Sequence, residues 1–147
     1  MAEDPNLRSL GIDFGERRIG VAVSDEAGRI ATPLTTLERS SDRQALRSLA
    51  RLARDEGVER LVVGEPRALD GTPGEAAERT RRFAEKLAAV TGLPHVMVDE
   101  ALTTDEARRR LREAGVDLRR HPERVDAAAA QIILQELLDA ERSEPTS

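Results

Sequence analysis

The sequence predicts an α/β domain on a mixed five-stranded sheet, with elements in the order β-β-β-α-β-α-β-α-α. Three observations carry that reading. The chain opens with short runs rich in Ile, Val and Leu, separated by turn residues. After Ser41 the apolar spacing changes from alternation to a helical period. Downstream, helical stretches alternate with short, continuously apolar runs, as expected for strands buried on both faces.

Leu7–Phe14 and Arg18–Ser24, split by Gly15-Glu16-Arg17, form a hairpin signal. A turn over Asp25–Arg29 leads to a third strand, Ile30–Leu37. Ser41 followed by Gln44 fits a capping box, and Leu46, Leu49, Ala50 and Ala53 recur at helical spacing until Gly57. Arg60–Gly64 is the fourth strand. Thr72-Pro73-Gly74-Glu75 opens the next helix with a cap, a proline and a capping-box Glu, and Gly92 ends it. His95–Val98 is the last strand. Thr103 with Glu106 caps a helix running to Gly115, and a final helix spans about Pro122 to Ala140. Strands four and five each follow a helix, which suits right-handed crossovers. Residues 1–141 read as one domain and 142–147 as a disordered tail.

Composition removes several function classes. With no cysteine among 147 residues, disulfides, Cys-zinc sites and thiol catalysis are excluded. His95 and His121 are too few for a His-based zinc cage. Phe14 and Phe83 are the only aromatics, which argues against a base-stacking platform. No apolar run reaches membrane-spanning length and Met1–Leu10 lacks signal-peptide character, so a cytoplasmic protein without membrane contact is expected. The net charge of −5 argues against indiscriminate nucleic-acid binding but leaves room for a local basic face. All but one of the 23 basic residues are arginine, a bias that suits phosphate and that a GC-rich genome would also produce.

Asp13 places a carboxylate inside the apolar first strand, where burial costs several kcal/mol unless a partner is present. Arg17, turn amides or a cation would serve. Asp99-Glu100 ends the last strand just before a helix N-terminus, a position that a dipole role also explains. Asp126 lies on the apolar face of the final helix, near its start. Three convergent carboxylates suit a hard divalent cation such as Mg²⁺, and paired ions of that kind support phosphodiester hydrolysis. Glu65 follows a buried strand and reads either as a fourth acidic ligand or, preferably, as an exposed loop residue before Pro66. Residues 108 to 124 hold seven arginines against three acids, fitting either a phosphate-tracking surface or a solvated helix face.

Four blocks, Gly11–Asp25 (GIDFGERRIGVAVSD), Val62–Gly71 (VVGEPRALDG), Val98–Thr104 (VDEALTT) and Val125–Leu134 (VDAAAAQIIL), strongly resemble the YqgF family, also called RuvX. The resemblance spans nearly the whole chain. It implies a ribonuclease H-like fold, which the element order fits. It also implies a nuclease dependent on Mg²⁺ or Mn²⁺ that acts at the end of pre-16S ribosomal RNA, with junction-resolving activity proposed for some members. Carried over by position, Asp13, Glu100 and Asp126 match the family's acidic residues and are the expected catalytic metal ligands. Arg17 and Arg18 match its basic pair, the expected phosphate contacts. Arg67, Arg119 and Arg120 are further candidates for substrate binding. Thr103 and Thr104 match its Thr/Ser pair, where capping is favoured over substrate contact. Ala101 stands where the family usually carries arginine, and Glu65 where it usually carries an apolar residue.

Structured RNA is the expected partner, with branched DNA as the alternative. A symmetric junction would call for a homodimer, and end-trimming would be served by a monomer. Two other classes compete. Asp13-Phe14-Gly15 with Gly20–Val23 also resembles the phosphate hairpin of actin-like ATPases and sugar kinases, but those enzymes duplicate the fold and this chain has room for one copy. A non-catalytic RNA-binding factor in ribosome assembly would keep the carboxylates as structural groups.

Overall fold

The computed structural model describes residues 7–66, 74–100 and 103–143. The strands are β1 (Ser9–Phe14), β2 (Arg18–Ser24), β3 (Ala31–Glu38), β4 (Arg60–Pro66) and β5 (His95–Glu100). The helices are α1 (Asp42–Asp55), α2 (Glu75–Thr91), α3 (Thr103–Glu113) and α4 (Glu123–Ser143). The five strands form one sheet in the order β3-β2-β1-β4-β5. The first three pair antiparallel, and β1–β4 and β4–β5 pair parallel, so the predicted mixed α/β architecture is present.

Strand alternation sorts side chains onto two faces. Leu10, Ile12, Val21, Leu61 and Val63 pack against Leu49 and Ala53 of α1 and Phe83, Ala84 and Leu87 of α2. On the opposite face Ala22 and Val62 pack under Ala130, Ile133, Leu134 and Leu138 of α4. Ala107 of α3 packs on Ala129 and Ile132, along another flank of the same helix. No helix among the described residues is long and apolar enough to cross a membrane.

Small residues let α4 lie close to the sheet. An ideal Cβ at Gly11 would stand 2.8 Å from the Leu134 Cβ, and one at Gly20 only 1.8 Å from the Asp126 carbonyl oxygen. Glycine at both positions therefore fixes the height at which α4 crosses the sheet, its first turn over β2 at Gly20 and its middle over β1 at Gly11.

Several boundaries differ from expectation. Ser41 caps α1 by accepting from the Gln44 amide at 3.1 Å, but the Gln44 side chain turns to the Ser40 hydroxyl, so only half the box forms. Helix α2 starts at Glu75 behind Gly74, with no side-chain cap, and the expected Thr72 cap lies outside the described residues. Strand β5 runs two residues past Val98, because pairing with β4 continues through Glu65↔Asp99 and Pro66↔Glu100. Helix α4 continues to Ser143, beyond the Ala140 end expected from the sequence. Its Glu141 meets buried Arg60 in a bidentate pair at 2.7 and 2.9 Å, and Arg60 also donates to Ser9 Oγ at 2.9 Å. A buried guanidinium needs a counter-charge, and Glu141 provides it.

Candidate active site

Asp13 sits near the C-terminal end of β1, on the face covered by α4. Its β2 neighbour is Gly20. The β1–β4 pairing ends at Ile12↔Val63, and one further step sets Gly64 on its other side. The carboxylate thus lies between two residues without side chains. An ideal Cβ at Gly64 would stand 3.6 Å from Glu100 Oε2. From above, the first turn of α4 supplies Asp126. The three acids share a cavity of about 330 Å³.

Electrostatics agree with the proximity. Burial first, then the charge of Glu100, then that of Asp126, pushes the Asp13 carboxyl from its ordinary 3.8 up to about 7. Among the described residues no hydrogen bond or ion pair to Asp13 offsets this. The expected alternative, a pair with Arg17, is not formed. Arg17 is exposed and lines a separate groove with Arg18, Glu38 and Arg39. Asp126 is the acid that holds an arginine, accepting from Arg18 Nε at 2.7 Å.

The site is suited to a hard cation. Its acids are oxygen donors, it holds a carboxylate without an ion-pair partner among the described residues, and the two glycines flanking that carboxylate let α4 bring Asp126 close to it. With Asp126 turned to Arg18, no three acids among the described residues are arranged to grip an ion together.

Glu65 is not the exposed loop residue expected. It is a buried member of β4, 4% exposed, and its carboxylate meets Arg81 Nε of α2. Alternation places it opposite to Gly64, on the α1/α2 face, and it does not line the carboxylate cavity.

Arg119 and Arg120 lie exposed in the turn between α3 and α4, away from the cavity lining, and Arg120 is 3.7 Å from Asp117. Along α3, Arg110 bonds Glu106 at 2.7 Å and Arg109 bonds Glu113 at 3.0 Å, the pairing of a solvated helix face. Arg67, Ala101 and the side chains of Thr103 and Thr104 lie outside the described residues.

Sequence reasoning missed Arg39. It lies 4.2 Å over the Phe14 ring, which stacks on Phe83, and donates to the Gly15 carbonyl at 3.3 Å, so it lines the carboxylate cavity. Its guanidinium also bonds Asp42 at the start of α1, at 2.8 Å. The available signal was the hairpin pattern of β2 and β3, whose register ends at Arg18↔Glu38 and puts the next residue beside Arg17.

A family model described as "RuvX: Holliday junction resolvase" matches residues 7–140. The chain belongs to the RuvX family. A RuvX relative from Chloroflexus aggregans, named "Putative pre-16S rRNA nuclease", is 47% identical over 134 residues, covering 91% of this chain and 94% of that protein. A relative of the same name from Symbiobacterium thermophilum is 47% identical over 139 residues, covering 95% and 96%. Among solved structures, Thermus thermophilus RuvC in complex with a Holliday junction substrate superposes with a TM-score of 0.57 at 16% identity, covering 93% of this chain and 97% of that one. Fowlpox virus resolvase superposes at 0.58 with 9% identity, covering 91% and 98%. At such identities the likeness concerns the fold, and it agrees with the ribonuclease H-like architecture expected above.

Proposed function

We propose that this RuvX protein is a divalent-metal-dependent phosphodiester nuclease acting on the end of pre-16S ribosomal RNA. The observation that carries the reading is Asp13, a half-buried carboxylate with no positive partner among the described residues, set between two glycines and facing two further acids. Burial, and after it the charges of Glu100 and Asp126, disfavour the ionised form of Asp13, and a cation held there would favour it. Asp13, Glu100 and Asp126 are the residues that would hold Mg²⁺ or Mn²⁺. Such an ion supplies positive charge that activates water and stabilises the leaving oxygen. The protein's own part is to fix the three acids on two strands and a helix, so that their positions depend on the sheet and not on a loop. Arg17 and Arg18 line the neighbouring groove, where they would neutralise phosphate oxygens. Arg67, Arg119 and Arg120 are outer phosphate contacts in this reading.

Cleavage of a four-way DNA junction is a second reading, favoured by the family description and resting on the same chemistry. Purified protein should be offered precursor RNA and a four-way junction side by side, with Mg²⁺ or Mn²⁺, and compared with Asp13→Asn. Metal-dependent cleavage lost in the variant supports the assignment, and the preferred substrate separates the two readings. If neither protein cuts and both bind RNA equally, the nuclease assignment gives way to an RNA-binding assembly factor.

A further inference from the structure

A groove of about 730 Å³ lies away from the carboxylates along α1, and Arg43, Arg47 and Arg51 line it. These arginines follow at intervals of four, so each stands one turn from the next, about 6 Å along the axis. None of them forms an ion pair among the described residues. Helix α3 provides the contrast, since Arg108, Arg109 and Arg110 each have an acid three or four residues away within ion-pair distance. Like charges at i,i+4 weaken an isolated helix. An uncompensated cationic stripe on a protein of net charge −5 therefore asks for an anion from outside.

The groove begins a few residues along the chain from the flank of the candidate active site. Arg39 lines both the carboxylate cavity and a second groove of about 340 Å³, which Arg17, Arg18 and Ser40 also line. Ser41, the next residue, lines the α1 groove. Arginines thus recur from the flank of Asp13, past Arg39 and the Arg17–Arg18 turn, to α1; Glu16 and Glu38 line the middle groove, and Arg39 and Arg18 already hold Asp42 and Asp126, so the uncompensated charge of this path lies on α1. We propose that this path is a nucleic-acid track, in which Arg43, Arg47 and Arg51 grip the phosphodiester backbone of the strand leading away from the carboxylate site. The inference rests on the nuclease reading for the direction of the strand. Phe14 and Phe83 are stacked on each other, leaving no aromatic for base stacking, so the track would hold phosphates without reading sequence.

The test is equilibrium binding of full-length protein, carrying Asp13→Asn to prevent cleavage, to a labelled single-stranded RNA and to a DNA duplex. Affinity is followed between about 50 and 200 mM salt. For single-stranded RNA, Arg43→Gln/Arg47→Gln/Arg51→Gln should weaken binding at least tenfold and reduce the salt slope by about two, at roughly 0.7 for each phosphate no longer neutralised. Arg43→Lys/Arg47→Lys/Arg51→Lys, which keeps the charge, should retain most of the slope, and thermal melting checks that each variant is folded. Arg108→Gln/Arg109→Gln/Arg110→Gln changes net charge equally and should alter the slope by less than about one. An unchanged slope in the α1 variant, an equal loss in both Gln variants, or no binding of either nucleic acid overturns the track. Loss confined to the α1 Gln variant supports it, the duplex arm showing whether DNA uses the same path. If wild type cuts RNA and the slopes are equal, the track fails alone. If nothing is cut but the slopes differ, the nuclease reading fails alone.

Discussion

Arg18 Nε donates to Asp126 Oδ2 across 2.7 Å, joining β2 to the first turn of α4 directly beside Asp13. One of the three acids is thereby neutralised while Asp13 is not. Replacing Arg18 with Gln removes a competitor for the Asp126 oxygen. Mn²⁺ binding measured by calorimetry on Arg18→Gln should tighten by about fivefold, the equivalent of ~1 kcal/mol for a partly exposed pair. Unchanged or weaker binding would show that Asp126 does not take part in holding the ion.

Asp13 should make the metal-free protein less stable as pH rises. Its carboxyl ionises near 3.8 in the unfolded chain and at about 7 in the folded one. Between those values the folded state holds a proton that the unfolded state has lost, so stability falls across that window and stays low above it. At about 1.36 kcal/mol per pH unit the full cost is about 4 kcal/mol. Asp13→Asn does not titrate. In urea unfolding with chelator present, its advantage over wild type should be small at about pH 4 and near its maximum by about pH 7.5. Added Mn²⁺ should narrow the gap at the higher pH.

Two glycines should respond differently to alanine. At Gly20 the new methyl meets the backbone oxygen of Asp126, so α4 itself must move. At Gly64 it meets Ile133 Cδ1 at 2.6 Å, the far end of a side chain. We expect Gly20→Ala to cost about 3 kcal/mol or more, at the upper end of overpacking. Gly64→Ala should cost less and be largely restored by Ile133→Val. Chemical denaturation of the three variants measures both effects, and equal losses at Gly20 and Gly64 would contradict the close approach of α4.

The Arg60–Glu141 pair anchors the C-terminal end of α4 over the start of β4, at the end of the strands remote from Asp13. Arg60 is 6% exposed, and removing its partner leaves a buried charge. Glu141→Ala should destabilise by about 3 kcal/mol, and Arg60→Met/Glu141→Leu should recover most of the loss, because an apolar pair needs no counter-charge. A double-mutant cycle in urea gives both numbers.

Much of this protein was legible one segment at a time. The hairpin glycines, the Ser41 cap, the helical spacing of Leu49 and Ala53, and the apolar run at Val62 are local signals, and they set the element order without knowledge of any partner strand. Asp13 stood out because an acid in an apolar strand is costly wherever that strand lies. Tertiary structure decided which groups those segments bring together. Arg60–Gly64 is apolar on both faces, so its pattern did not reveal which face Glu65 would take, and only packing against α2 settles it. Strand β5 reaches Glu100 because β4 continues to pair with it. Arg39 enters the site through its register beside Arg17, and Arg108, Arg109 and Arg110 of α3 are neutralised by acids a turn away while Arg43, Arg47 and Arg51 of α1 are not. Periodicity is a property of a few consecutive residues. Register, face and charge compensation depend on residues distant in sequence, and folding brings them together.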